Sequence, residues 1–136
     1  MTDGPEPLRP ARPASVELAA AILIVGGAIQ LLLGLTTLPG LPPGAEGIAA
    51  LALALNVATI ATGVLIRAGR AWLVAVNFAA ILGFLDLLGA GGSPLQLMLG
   101  AAEVVVVAIL LARKPWFDSL AQWRAQQAAA AIAGRD

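Results

Sequence analysis

The sequence predicts an all-α fold: a membrane-spanning four-helix bundle followed by a short C-terminal interfacial helix. Three observations predict it. The 136-residue chain is 60% hydrophobic and only 12% charged, whereas a soluble domain carries about 25% charge. Its apolar residues gather in four blocks of roughly 20 residues, the length that crosses a ~30 Å hydrocarbon core at ~1.5 Å per residue. Pro- and Gly-rich breaks separate the blocks. Blocks this long exclude the ~10-residue alternation of a membrane barrel.

The elements follow in order. Residues 1–14, "MTDGPEPLRPARPA", hold four prolines and are expected to be a disordered cytoplasmic tail. A four-helix transmembrane domain over 15–114 follows, with spans at about 16–38, 47–66, 71–90 and 94–113. The first span carries one amide, Gln30, and no charge after Glu17 at its edge. It is longer than the 7–15 apolar residues of a signal peptide, so it is expected to stay in the mature chain. The second span is uncharged, the third holds Asp86 near its end, and the fourth holds Glu103 at its centre. The breaks are "LPGLPPGAEG", "RAGR" and "GAGGSP". Connections this short imply that sequence neighbours are antiparallel neighbours in space. In 115–136, Trp116, Leu120 and Trp123 fall on one face of a helix that Pro115 is placed to start. That segment reads as a cytoplasmic interfacial helix and tail, or as a docking helix for a partner. Trp72, Trp116 and Trp123 are the expected interface anchors.

Orientation comes from the cations. Arg9 and Arg12 precede span one, Arg67 and Arg70 join spans two and three, and Arg113, Lys114, Arg124 and Arg135 follow span four. Threading places all eight on one side of the membrane. The positive-inside rule then puts both termini in the cytoplasm of a bacterial inner-membrane protein.

Composition also excludes functions. A formal net charge of zero gives no support to nucleic-acid binding. The absence of Cys and His removes thiol chemistry, the commonest metal ligand and the commonest general base. No catalytic, cofactor-binding or metal-binding residue is therefore assigned. The lipid bilayer is the one certain partner, with a membrane-protein partner or a second copy as the further expectation.

The polar residues inside the spans are the candidate site. Counting ~1.5 Å per residue from the basic edge puts Glu103 at ~15 Å and Asn56 at ~16 Å, near the midplane, with Asn77 at ~10 Å. These three form the candidate intramembrane polar site. Gln30 and Asp86 come out at ~20–24 Å and form a secondary one, with Asp86 expected to reach the outer headgroups. Asn77 and Asp86, nine residues apart, fall on opposite sides of their helix. Small residues mark the contact faces: Gly27, Gln30 and Gly34; Asn56, Thr59 and Gly63; Gln96, Gly100 and Glu103. No basic residue lies at the depth of Glu103, so a neutral acid is expected there, able both to donate to and accept from an Asn amide. This cluster is read either as a hydrogen-bonded structural link or as a proton or cation site.

At "IRAGRAW" (66–72) and "RKPWF" (113–117) the chain resembles the small four-helix integral membrane proteins of actinobacteria and other high-GC bacteria, which share a Pro/Arg-rich lead-in like "RPARPASVELAA". The resemblance spans the whole chain and implies no catalytic residues, since that group is largely of unknown function. Better understood four-helix families fit less well. Small multidrug exporters carry a Glu in the first span, whereas the deep Glu here is in the fourth. Dual-topology fluoride channels have balanced basic loops, and quinone-linked disulfide enzymes need cysteines. The sequence thus points to a non-enzymatic accessory, assembly or scaffold subunit, with a small oligomeric proton- or cation-coupled transporter or channel using Glu103 as the alternative.

Overall fold

The computed structural model describes residues 8–89 and 93–133. Among them are five α-helices and no strand: α1 (Ala14–Thr37), α2 (Glu46–Arg67), α3 (Trp72–Gly89), α4 (Pro94–Ala112) and α5 (Lys114–Ala133). The first four are each long and apolar enough to cross a membrane. Half of the expected tail, 1–7, lies outside the described residues, as do 90–92 and 134–136.

Local chemistry sets the boundaries. Pro13 is extended (φ −66°, ψ 140°), and its carbonyl accepts from the N–H groups of Val16 and Glu17, which starts α1 at Ala14. Helix α1 ends at Thr37, where a single 3-10 turn, Leu38–Gly40, follows with Pro39 within it. Ser93 is extended ahead of Pro94, whose fixed φ suits the first helical position of α4. The α2–α3 turn is a Schellman motif. Gly69, at φ +68°, donates to Ile66 C=O at 2.8 Å, and Arg70 N–H donates to Leu65 C=O at 2.9 Å. Ala71, expected inside the third span, stands outside α3 with φ +55°. An L-residue pays ~1–2 kcal/mol in that region, so Ala71→Gly should raise stability by about 1 kcal/mol, read from unfolding in mixed micelles. No gain, or a loss, would mean that the turn is not strained at this position.

Helix pairing follows the small residues. A Cβ on Gly27 would lie 3.1 Å from Asn56 C=O, and one on Gly63 would lie 2.9 Å from Ala20 C=O, so α1 and α2 pack backbone to backbone. A Cβ on Gly100 would meet Leu87 at 2.9 Å, and one on Gly83 would meet Glu103 Cβ at 3.2 Å, so α3 and α4 do the same. Contacts between α1 and α4 join the two hairpins, whereas α2 and α3 touch at few positions. Sequence neighbours thus touch as expected, with α2 and α3 the most sparsely packed of them. The buried side of α3 carries Ala75, Ala79 and Gly83, and Gly83 stands against Glu103 of α4.

The bundle is packed unevenly along its length. Val16, Ala19, Leu23, Ile66, Ala75, Ala79, Val106 and Leu110 are fully buried, and all lie in the half that carries the basic residues. In the other half no large apolar side chain among the described residues is fully buried. The basic end is also tied together. Glu17 pairs with Arg12 and with Arg67 (3.1 Å), Arg113 Nε donates to Ser15 Oγ (2.9 Å), and Lys114 lies over the Trp72 ring. Helix α5 folds beneath this end, with Phe117 joining the core and Leu120 fully buried.

Candidate intramembrane polar site

Glu103 is placed by α4, where Gln96, Gly100 and Glu103 recur at helical spacing on one face. It is 6% exposed and stands against Gly83 of α3. Gly83 makes the room: a Cβ there would lie 3.6 Å from Glu103 Oε2. That oxygen is buried without a hydrogen-bond partner.

Asp86 lies one turn along α3 from Gly83 and points toward the same bundle interior. It accepts a hydrogen bond of 3.0 Å from Gln30 Nε2 of α1. This corrects the expectation that Asp86 reaches the outer headgroups, since a partner at its own depth holds it inside the bundle. The Asp86 carboxylate is also within electrostatic reach of Glu103.

The expected cluster of Glu103, Asn56 and Asn77 does not form. Asn77 is on the exposed side of α3, donating to Leu73 C=O of its own helix at 2.7 Å. The reason is angular. Asn77 is two residues from both Ala75 and Ala79, about 200° around from the buried stripe. Asn56 is partly buried and lines a cavity with Gln30 and Asp86, while Glu103 sits a turn further toward the basic end. The residues placed in two sites by depth thus regroup, with Gln30, Asp86 and Asn56 together and Glu103 beneath them.

That cavity has a volume of about 500 Å³ and is lined by all four long helices in the half away from the basic residues. Its polar groups are Gln30, Asn56, Asp86, Ser93 and Gln96, set among leucines. Ser93 and Gly83 were not singled out by the sequence reading. The usable signal for Gly83 was its position three residues before Asp86, which puts a gap and a carboxylate on one face. Among the described residues, no group of three or more His, Cys, Asp or Glu side chains is arranged to hold a metal ion.

The three tryptophans gather at the basic end. Trp72 Nε1 donates to Leu110 C=O at 2.7 Å, pinning the start of α3 to the end of α4. Trp116 meets Phe117 edge-on, with centroids 4.8 Å apart, and packs on Gly69. Arg9 lies over the Trp123 ring. Arg124 of α5 donates to the carbonyls of Gly69 (2.8 Å) and Ala68 (2.5 Å). Burial, then the nearby charges of Arg70 and Arg9, hold its pKa below the ordinary arginine value. The Trp116 and Leu120 side of α5 is therefore occupied by the protein's own α2–α3 turn.

Glu103 gives a direct stability test. A buried polar atom with no partner costs ~1–3 kcal/mol relative to an apolar group of similar shape. Glu103→Met should therefore raise unfolding stability in mixed micelles by about 1–3 kcal/mol. A loss of similar size would mean that Glu103 is a structural link.

Comparison of the chain with family models, with curated proteins and with solved structures finds no match.

Proposed function

We propose that the protein is a non-enzymatic, multi-pass protein of the bacterial inner membrane that works as an accessory, assembly or scaffold subunit, with both termini cytoplasmic. The observation that carries this reading is the closed basic half. Fully buried Leu23, Ile66, Ala79, Val106 and Leu110 fill the interior there, which leaves a single copy no route from one face to the other. Among the described residues the bundle ends in short turns and a helix folded against them. The orientation rests on the cations gathered at one end.

Two experiments test it. The chain has no cysteine, so Gly44→Cys and Ala125→Cys can each be labelled by a membrane-impermeant maleimide. Gly44→Cys should react in intact spheroplasts and Ala125→Cys only after permeabilisation; the reverse pattern would overturn the orientation. In native membranes the protein should co-purify with a defined partner at fixed stoichiometry. Repeated isolation alone would count against a subunit role.

The unpartnered Oε2 of Glu103, with Asp86 within electrostatic reach, supports a second reading as a small proton- or cation-coupled transporter. Because a single bundle is closed, its pathway would run between copies. Absence of proton or cation flux in proteoliposomes over a range of gradients would sink it.

A further inference from the structure

We propose that the cavity lined by Gln30, Asn56, Asp86 and Gln96 is a binding site for a small amphipathic organic cation, with the Asp86 carboxylate as its counter-charge. This rests on the membrane placement above and not on the subunit role.

Charge points to the ligand's sign. Asp86 is partly buried and takes a hydrogen bond from Gln30, but an amide is neutral and cannot balance a carboxylate. Every described basic side chain belongs to the opposite end, from Arg9 and Arg12 to Arg67, Arg70, Arg113, Lys114 and Arg124. No cation of the chain stands beside Asp86, so its ionised form is favoured only when a cation from outside enters the cavity. Among the described residues no basic side chain stands at this end to hold an anion.

Size and lining point to the ligand's kind. A cavity of about 500 Å³ falls within the ~300–1,000 Å³ typical of small-molecule sites. Six of its thirteen lining residues are leucines, Leu55, Leu82 and Leu99 among them, and these suit an apolar body. Polar groups are few and come from separate helices, with Gln30 from α1, Asn56 from α2, Asp86 from α3 and Gln96 from α4. Such an arrangement orients one charged head among apolar contacts. A bare metal ion fits poorly, since no acidic group of three is present among the described residues.

The test is equilibrium dialysis of radiolabelled tetraphenylphosphonium against the purified full chain in non-ionic micelles. The expected result is saturable binding with one site per chain. Asp86→Asn should weaken it at least about tenfold. Leu55→Trp, which fills the cavity while keeping Asp86, should do the same. Asn77→Leu, on the far side of α3, should leave it within about twofold. Circular dichroism and melting establish that each variant is folded. Uptake by wild type that rises without saturation, or Asp86→Asn binding equal to wild type, would overturn the proposal. So would equal competition by neutral triphenylphosphine oxide, which needs no variant and would assign the cavity to an uncharged, lipid-like guest. The cysteine labelling reports separately on membrane placement.

Discussion

Gly63→Leu should drive α1 away from α2 and lower stability by about 3 kcal/mol or more, the upper range for overpacking. The cause is the absence of anything soft to yield. A Cβ at position 63 would stand 2.7 Å from Ile24 Cγ1, 2.9 Å from Ala20 C=O and 3.3 Å from Ile24 N. Two of those atoms are backbone, so no rotamer change relieves the clash and the helices themselves must separate. Gly47→Leu is the matched control. It replaces another α2 glycine, yet a Cβ there meets nothing within 4 Å. Gly47→Leu should be neutral or up to about 1 kcal/mol stabilising, because Leu is the better helix former. Reversible unfolding of both variants in mixed micelles decides it, and equal values would show that the α1–α2 contact is not tight at Gly63.

Gly69→Val should release α5 while leaving the four long helices intact. Position 69 has φ +68°, a region that costs an L-residue ~1–2 kcal/mol, and a β-branched one at least that. The added Cβ would also overlap Leu120 Cδ2 and lie 3.1 Å from the Trp116 ring. The shifted turn would carry away the Gly69 and Ala68 carbonyls that hold Arg124. A net loss of about 2 kcal/mol at this junction corresponds to a roughly thirtyfold larger open population. Trypsin cleavage after Arg124 should accelerate by a similar factor when opening is fast relative to cleavage. Helical circular dichroism should barely change. An unaltered cleavage rate would mean that α5 does not depend on this docking.

Much of the fold is legible in the sequence because each long helix is one uninterrupted apolar block and each break is spelled in Pro and Gly. The contact faces are also partly legible. Gly27 and Gly34 on α1, and Asn56, Thr59 and Gly63 on α2, recur at helical spacing, and in the structure these two stripes meet each other. What spacing leaves open is the partner of each stripe. The α4 stripe of Gly100 and Glu103 meets Gly83 and Leu87 of α3, a pairing that no count along α4 contains. The polar residues show the same limit. Counting residues yields depth, and Gln30 and Asp86 come out at one level, where they bond. Counting does not yield the angle between separate helices, so Glu103, Asn56 and Asn77 share a similar depth without sharing a site. The turn at Ala71 is hidden for a different reason, since nothing in "RAGRAW" requires an alanine to adopt positive φ.

The sparse contact between α2 and α3 also bears on how the chain is made. Each tight pair consists of consecutive helices, so the first hairpin can lock while the second is still being translated. Joining the hairpins depends mainly on α1 meeting α4, the most distant pair along the four spans, and must wait for synthesis of the last one. Until then α3 has lost its natural companion and has little to hold it to α2. A ribosome stalled after Gly89 would therefore hold a finished α1–α2 pair and a solitary third helix, the species most exposed to membrane quality control. The expected order of assembly is therefore sequential for the two halves and all-or-none only for their union.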